Sequence, residues 1–307
     1  MFFAGTIPWY SWLMFAAVLG GLMGLNELSR RSKNWSLLLF VAVPVLLTPY
    51  WLYMGNEVSN WFVWVKVYSA LAGSIGFMVI RFTTFADRNK WFLAFPPLIL
   101  AVNILEAVLR EVQVASINGV SDGLLLMGGT WNYVNAFAGI LNIVTICGWV
   151  GIYAVTRKNS RDMIWPDMLW FWIIAYDLWN FAYIYNCLTA NVLYTGVALL
   201  LSCTIPALWW AKGAWLQHRA HTLAFWAMFM MTFPYLFTDS LFTVKVSYEP
   251  SAMWTVSMLS LLSNIGVVVY QVNRILRHKL NPLKDELHTD LKRYREVAQL
   301  RELAPAH

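Results

Sequence analysis

Long apolar stretches separated by short polar connections run along most of the chain. A membrane-spanning helix needs about 20 mostly apolar residues, and the long runs lack the alternating pattern of barrel strands. The pattern therefore predicts an all-α fold, a polytopic transmembrane helix bundle of about nine spans. The predicted spans cover residues 8–28, 35–54, 61–80, 91–109, 132–155, 167–186, 192–212, 222–246 and 252–275.

The composition agrees with this pattern. Apolar residues make up 59% of the 307 residues and charged residues only 12%, whereas soluble domains carry about 25% charged residues. The chain also holds 18 Trp, a residue type that favours membrane–water interfaces. These proportions exclude an ordinary soluble domain and a disordered chain.

The basic residues predict the orientation of the bundle. Of the 22 Lys and Arg, 19 fall in the connections after spans one, three, five and seven or in the segment after span nine. Under the positive-inside rule, the N-terminus then lies outside and the C-terminus in the cytoplasm. The net charge of +6 is explained by this asymmetry, so it indicates no nucleic-acid partner. The expected location is the inner (plasma) membrane, with the lipid bilayer and a small solute as partners.

Two segments outside the spans carry patterns of their own. Residues 1–280 form the predicted bundle, and 281–307 form a cytoplasmic tail that is expected to contain a short amphipathic helix on the face of the bundle. The loop between Glu111 and Thr130 contains the apolar sequence GLLLMGG, which predicts a lid over the outer mouth or, alternatively, a short interfacial helix. The apolar stripe of the tail comprises Leu283, Leu287, Leu291, Tyr294 and Ala298.

Ionisable residues inside the spans concentrate in their outer and middle parts. Such groups are costly in a bilayer and usually face a bundle interior or water. Polar and aromatic neighbours accompany them on the same helical faces. The distribution predicts an outward-opening polar and aromatic cavity. The candidate ligand-binding or coupling residues are Asp177, Asp239, Glu106, Arg110, Lys66, Asn103, Asn135, Asn180, Tyr176, Tyr183 and Tyr235.

Asp177 is the predicted centre of this site. It lies near the middle of span six with no basic residue within a helical turn, and carboxylates at this depth often couple proton movement to transport. Alternative explanations remain for several of the other candidate residues. Glu106 and Arg110 have the i,i+4 spacing of a neutralising pair, and Lys66 is close enough to the interface to extend towards water. Pro234 is expected to break span eight beside Asp239.

Several kinds of chemistry are not indicated. All five His fall in predicted connections or in the tail, so no metal or haem site and no cofactor is expected. The sequence also lacks a phosphate-binding loop and a serine nucleophile motif, so no catalytic residue is assigned. The three Cys lie within or at the ends of apolar runs, where they are expected to act as small apolar side chains.

Two central segments resemble a known family. WNYVNAFAGILNIVTICGW (131–149) and WPDMLWFWIIAYDLWNFAYIYNC (165–187) are similar to segments of an uncharacterised bacterial family of multi-pass inner-membrane proteins. The resemblance covers about the central half of the chain. It implies a bacterial inner-membrane protein, but it brings no activity and no site residues with it.

Three functional classes follow from these patterns. A secondary transporter or permease would use the outward cavity and a protonatable Asp177, and we rank it first. A membrane-embedded transferase acting on a lipid would use Lys66, Glu106, Arg110 and Asp239 near one headgroup level. A ligand-binding membrane sensor ranks third, because no signalling domain follows the bundle.

Overall fold

The computed structural model describes residues 2–54, 61–121, 123–157 and 160–303, and it is mostly helical. Two short antiparallel hairpins interrupt the helices. The α-helices of seven residues or more are α1 (Trp9–Arg31), α2 (Lys33–Tyr53), α3 (Trp61–Phe82), α4 (Phe95–Val114), α5 (Thr130–Val144), α6 (Trp170–Cys187), α7 (Val192–Trp209), α8 (Trp215–Thr232), α9 (Pro250–His278) and α10 (Lys292–Ala298). The strands are β1 (Asn118–Ser121), β2 (Leu124–Met127), β3 (Tyr153–Arg157) and β4 (Ser160–Ile164).

Six helices of the described ranges are long and apolar enough to cross a membrane: α1, α2, α3, α4 with its preceding 3-10 turn, α7 and α9. The coarse prediction of a helical, multi-span protein therefore fits the structure. The remaining three predicted spans contain α5, α6 and α8, which do not meet that length and hydropathy. Helix α5 has only 15 residues, and α6 and α8 carry polar side chains such as Asp177 and Arg219. The number of spans and their orientation stay predictions.

The predicted span 132–155 is too long. Helix α5 ends at Val144, and residues from Tyr153 onward form the β3–β4 hairpin. Gly148 adopts a left-handed φ of 68°, which favours glycine, and an added Cβ there would lie 2.1 Å from the Asp167 carboxylate. The backbone turn at Gly148 therefore directs the chain from the end of α5 towards the β3–β4 hairpin.

The predicted span 222–246 begins too late and ends too late. Helix α8 starts at Trp215 and ends at Thr232, and residues 233–249 form an irregular segment of turns with bridges at Val244 and Val246. Proline disfavours a helical conformation for the residue before it, so Pro234 ends the helix instead of kinking it. Arg219 and His218 consequently lie inside a helix, whereas Asp239 lies in a loop.

The buried apolar side chains form two main groups. One is centred on α4, α5, α6 and α9 and includes side chains of α3, α7 and α8, and the other joins α1, α2, α3, α7 and α8. Large apolar side chains also point outward, such as Leu46 on α2 and Leu262 on α9. An exterior of this kind is unfavourable in water and suits a lipid environment.

The two ends of the bundle are built differently. At one end, called here the mouth end, the β1–β2 hairpin and the loops 188–191 and 233–249 are tied together. Thr189 Oγ1 donates a hydrogen bond of 2.7 Å to the Leu125 carbonyl, and the Val246 amide donates one of 3.0 Å to the Thr189 carbonyl. The opposite end, called the tail end, carries the β3–β4 hairpin and residues 279–303. The loop after α4 is thus a hairpin packed on the mouth end, as the lid prediction expected, and the alternative of an interfacial helix is wrong.

The tail is less helical than predicted. Within 283–303, helix α10 covers only Lys292–Ala298, followed by the 3-10 turn Gln299–Leu303. Leu287, Tyr294 and Val297 are buried against the bundle, but Leu283 is exposed and does not share the packed face. The backbone amide of Leu287 donates a hydrogen bond of 2.6 Å to Asp167, which anchors the tail before the helix begins.

Close packing of α4, α5 and α6 depends on Gly139. A Cβ at this position would lie 2.5 Å from Val108 and 2.7 Å from the Trp179 indole nitrogen. We expect Gly139→Ala to destabilise the fold by about 1–3 kcal/mol, because backbone or side chains must shift. The measurement is the thermal unfolding midpoint in detergent, with Gly24→Ala as control. An added Cβ at Gly24 meets nothing within 4 Å, so equal effects of the two variants would contradict this packing.

Candidate functional site

A cavity of about 770 Å³ opens at the mouth end. Its size lies within the range of about 300–1,000 Å³ that is typical of small-molecule sites. Side chains from α3, α4, α6, α7 and α8 form its walls, and Gly123 and Leu124 of the β1–β2 hairpin border it. Eight of the predicted site residues line the cavity: Lys66, Asn103, Arg110, Tyr176, Asn180, Tyr183, Tyr235 and Asp239.

Helix α8 shows how deep the cavity is. Arg219, Leu223, Ala227 and Met230 follow one face of this helix and all line the cavity. At a rise of about 1.5 Å per residue, they cover roughly 16 Å along the helix axis. Since Arg219 is only about one turn from the tail-end start of α8, the cavity reaches through most of the bundle.

Arg219 forms the deep end of the cavity and is 5% exposed. Its Nε donates a hydrogen bond of 3.2 Å to the Tyr176 hydroxyl, and Nη2 donates one of 3.4 Å to Asn180 Oδ1. The guanidinium also lies 5.8 Å from the centre of the Tyr176 ring. The neutral side chains of Tyr176 and Asn180 therefore hold the guanidinium of Arg219 in place.

Sequence reasoning missed Arg219 because it was assigned to a cytoplasmic connection together with Lys212. Pro234 was the signal that could have found it. A span that ends before Pro234 and has the usual length must start near residue 215, which places Arg219 about one turn inside the helix. The apolar positions Leu216, Ala220 and Leu223 continue the helical pattern across this region.

Lys66 and Glu106 form a buried ion pair beside the cavity. Lys66 Nζ lies 2.9 Å from Glu106 Oε2 and donates a second hydrogen bond of 3.1 Å to the Asn103 carbonyl. Ser69 Oγ donates to the same Glu106 oxygen over 3.3 Å. Glu106 is thus neutralised by Lys66 of α3, and the expected i,i+4 pair with Arg110 gives way to this contact. Arg110 donates a hydrogen bond of 2.9 Å to Gln113.

The mouth of the cavity carries the exposed side chains Tyr235, Asp239 and Lys245. All three belong to the loop after α8. Because Asp239 and Lys245 are exposed, their charges are screened more strongly than charges deep in the bundle. They flank the entrance of the cavity, whereas Arg219 lies at its base.

Two predicted site residues point elsewhere. Asn135 donates hydrogen bonds to Glu111 and Trp179 and accepts one from Ser260, so it joins helices in the other half of the bundle. Asp177 is absent from the described residues that line the cavity. Its Oδ2 accepts a hydrogen bond of 2.7 Å from Thr204 on α7, whose hydroxyl also accepts one from Trp215. Asp177 still interacts electrostatically with Arg219, so its charge acts on the deep end of the cavity although its side chain is not part of the lining.

Asp177→Asn tests whether this carboxylate couples protons to function. The amide keeps the shape and can still accept the hydrogen bond from Thr204, so we expect an unchanged thermal unfolding midpoint. The pH dependence of solute flux should disappear, because the titratable charge near Arg219 is removed. A stable variant with the pH profile of the original protein would show that Asp177 is structural.

The tail end of the bundle is closed below Arg219. The Trp215 ring lies 4.9 Å from Tyr176 and 5.7 Å from Trp172, centre to centre. Further towards the tail, Arg30 donates two hydrogen bonds of 2.9 and 2.8 Å to the two carboxylate oxygens of Asp162 in the β3–β4 hairpin. Aromatic packing and a buried ion pair therefore separate the cavity from the tail-end surface.

Asp162 remains charged within this closure. Burial by itself would raise the pKa of Asp162, but the hydrogen bonds and the charge of Arg30 outweigh burial and hold the pKa well below its ordinary value. Gln217 of α8 donates a further hydrogen bond of 3.1 Å to the same carboxylate. Asp162 thus links α1, α8 and the hairpin.

Histidines occupy positions that the sequence analysis did not anticipate. His218 and His221 are buried in α8, where both contact Asn26 of α1, so they do not lie in a connection. His288 lies with Cys147 and Asp167 in a buried group whose ligand atoms are within 4.8 Å of one another, an arrangement that could hold a metal ion. Asp167 already accepts hydrogen bonds from two tail amides and from His288 Nδ1. These hydrogen bonds anchor the tail, and this anchoring accounts for the position of Asp167.

Comparison with known proteins gives a family and no activity. No curated protein and no solved structure matches the chain significantly. The match to a family covers residues 5–300, nearly the whole chain, in agreement with the uncharacterised family that the central segments suggested. The chain belongs to the family of unknown function DUF5692.

Proposed function

We propose that this protein is a secondary transporter or permease for a small solute in the plasma membrane. The observation that carries the proposal is the cavity of about 770 Å³, which runs from the mouth end to Arg219 and is closed below it. Transporters that alternate between two open states hold their substrate near the middle of the membrane and close one side at a time. With the mouth end outside, the structure corresponds to an outward-open state.

The charges of the cavity support a solute-binding role. Buried ionisable groups in membrane helices usually mark solute or ion pathways, since they are expensive to keep there. Arg219 and Arg110 line the cavity, and Lys66 is beside them. Asp177 acts on Arg219 from outside the cavity, which is an arrangement suited to coupling transport to a proton.

The two other functional classes find less support. A transferase needs a carboxylate that is free to act as a base in the cavity, but Glu106 is paired with Lys66 and Asp239 is exposed at the mouth. A sensor needs an output element, and the tail packs on the bundle through Asp167 and Leu287.

A flux assay in proteoliposomes tests the proposal. Purified protein is reconstituted, a pH difference is imposed, and uptake of a panel of labelled organic acids, amines, sugars and amino acids is followed. We expect faster uptake of at least one solute than in protein-free liposomes, with a rate that depends on the pH difference. Uptake equal to that of protein-free liposomes for every solute would contradict a transport function.

A further inference from the structure

The charges that face the cavity are unequal in sign. Arg219, Lys66 and Lys245 contribute positive charge, whereas the acidic lining residue of the described chain is Asp239 at the mouth. Glu106 offsets Lys66, and Asp239 lies in the same exposed loop as Lys245. The carboxylate that acts on Arg219, Asp177, lies outside the cavity lining and accepts a hydrogen bond from Thr204, so Arg219 presents a positive charge to the deep part of the cavity.

Arg219 is the centre of this positive region. Among the described residues, no carboxylate oxygen lies within 4.0 Å of its guanidinium, and its buried Nη1 makes no hydrogen bond. An arginine buried without a carboxylate is costly, and a guanidinium binds carboxylates with two parallel hydrogen bonds. Tyr176 and Asn180 fix the orientation of the group, so that it is already ordered before a ligand binds.

A second donor faces the same space. Tyr183 lines the cavity and is 3% exposed, and its hydroxyl has no hydrogen-bond partner among the described residues. A buried hydroxyl without a partner costs free energy that a ligand oxygen would recover. Arg219 and Tyr183 therefore both favour a ligand that accepts hydrogen bonds.

One side of the cavity between Arg219 and the mouth is apolar. Leu223, Ala227 and Met230 of α8 line it together with Trp226 and with Phe62 of α3. A fully hydrated ion would gain little from this surface, whereas an apolar chain or ring would be buried favourably against it.

We propose that the ligand of this cavity is an organic carboxylate with an apolar body, whose carboxylate binds Arg219 and whose body lies along the apolar face of α8. This inference deepens the proposed function and rests on it for the role of the cavity, because it names the class of solute.

Binding to the protein in lipid nanodiscs tests the inference. The probes are straight-chain carboxylates from hexanoate to hexadecanoate, each compared with its primary amide by isothermal titration calorimetry. We expect the best carboxylate to bind at least about tenfold more tightly than its amide, since hydrogen bonds to a charged group are the stronger ones. Equal affinities at every chain length, or no binding of any carboxylate, would overturn the proposal.

Variants of the cavity residues test where the carboxylate of the ligand binds. Arg219→Gln should remove the preference for the carboxylate over its amide, and Arg219→Lys should keep part of that preference. Tyr183→Phe should fold normally, because its hydroxyl has no partner to lose, and should weaken carboxylate binding. Tyr133→Phe, at an exposed position on α5, is its control. If Arg219→Gln does not fold, Tyr183→Phe decides: an unchanged carboxylate preference in that variant would contradict the proposed site.

The two proposals can fail separately. Carboxylate binding that depends on Arg219, without any flux in proteoliposomes, would support the ligand class and contradict transport. Flux of neutral or cationic solutes only, without a carboxylate preference, would support transport and contradict the ligand class.

Discussion

Ala227→Trp is expected to reduce solute flux by at least about tenfold while the protein still folds. Ala227 lies halfway between Arg219 and the mouth on the face of α8 that lines the cavity. An indole at this position extends into open space rather than into a packed core, so the loss of stability should be small. The indole occupies the volume through which a solute must pass, and a tenfold loss corresponds to about 1.4 kcal/mol of lost binding.

The control for this variant is Leu262→Trp. Leu262 lies on α9, is exposed on the outside of the bundle and does not line the cavity. Flux in proteoliposomes and the thermal unfolding midpoint are measured for both variants. Equal flux in Ala227→Trp and Leu262→Trp, with both proteins folded, would show that the solute does not use this cavity.

Asp162→Ala is expected to destabilise the protein by about 1–3 kcal/mol, because it removes the carboxylate that accepts two hydrogen bonds from the buried Arg30 and leaves Arg30 paired with Glu27 alone. The loss should depend on pH. Since Arg30 holds the pKa of Asp162 below its ordinary value, this carboxylate stabilises the fold fully above about pH 4 and progressively less as the pH falls towards the folded-state pKa. The difference between the variant and the original protein should therefore shrink in acid.

Asp290→Ala provides the matched control. Asp290 is also paired with an arginine, Arg274, but it is exposed at the tail end. Exposed ion pairs contribute about 1 kcal/mol or less. Unfolding midpoints in detergent between pH 3 and pH 7 compare the two variants. Similar midpoints for Asp162→Ala and Asp290→Ala at neutral pH would contradict the role of Asp162 in closing the tail end.

The sequence predicted the helical architecture because long apolar runs leave few other structures possible in a membrane. It predicted the ends of helices less well. The turn at Gly148 and the end of α8 before Pro234 depend on single residues inside apolar surroundings, so hydropathy alone extends both spans too far. The β1–β2 and β3–β4 hairpins are short, and their pairing gives little periodic signal.

The sequence predicted only part of the candidate site. Polar residues on one helical face, such as Tyr176, Asn180 and Tyr183, lie together in the cavity because a helix repeats every 3.6 residues. Partners on different helices are not encoded in spacing. Lys66 of α3 pairs with Glu106 of α4, and Asp177 of α6 accepts a hydrogen bond from Thr204 of α7. The sequence of a single helix does not predict either contact.

The most direct test of the account is thiol labelling of Leu223→Cys in intact cells with a charged, membrane-impermeant reagent. The native Cys147, Cys187 and Cys203 are buried, so they give a low background. Arg277→Cys, at the exposed tail end of α9, serves as the comparison. If the cavity opens to the outside down to the apolar face above Arg219, the reagent labels Leu223→Cys in intact cells and Arg277→Cys only after the membrane is permeabilised. Labelling of Arg277→Cys but not of Leu223→Cys in intact cells would contradict an outward-open cavity.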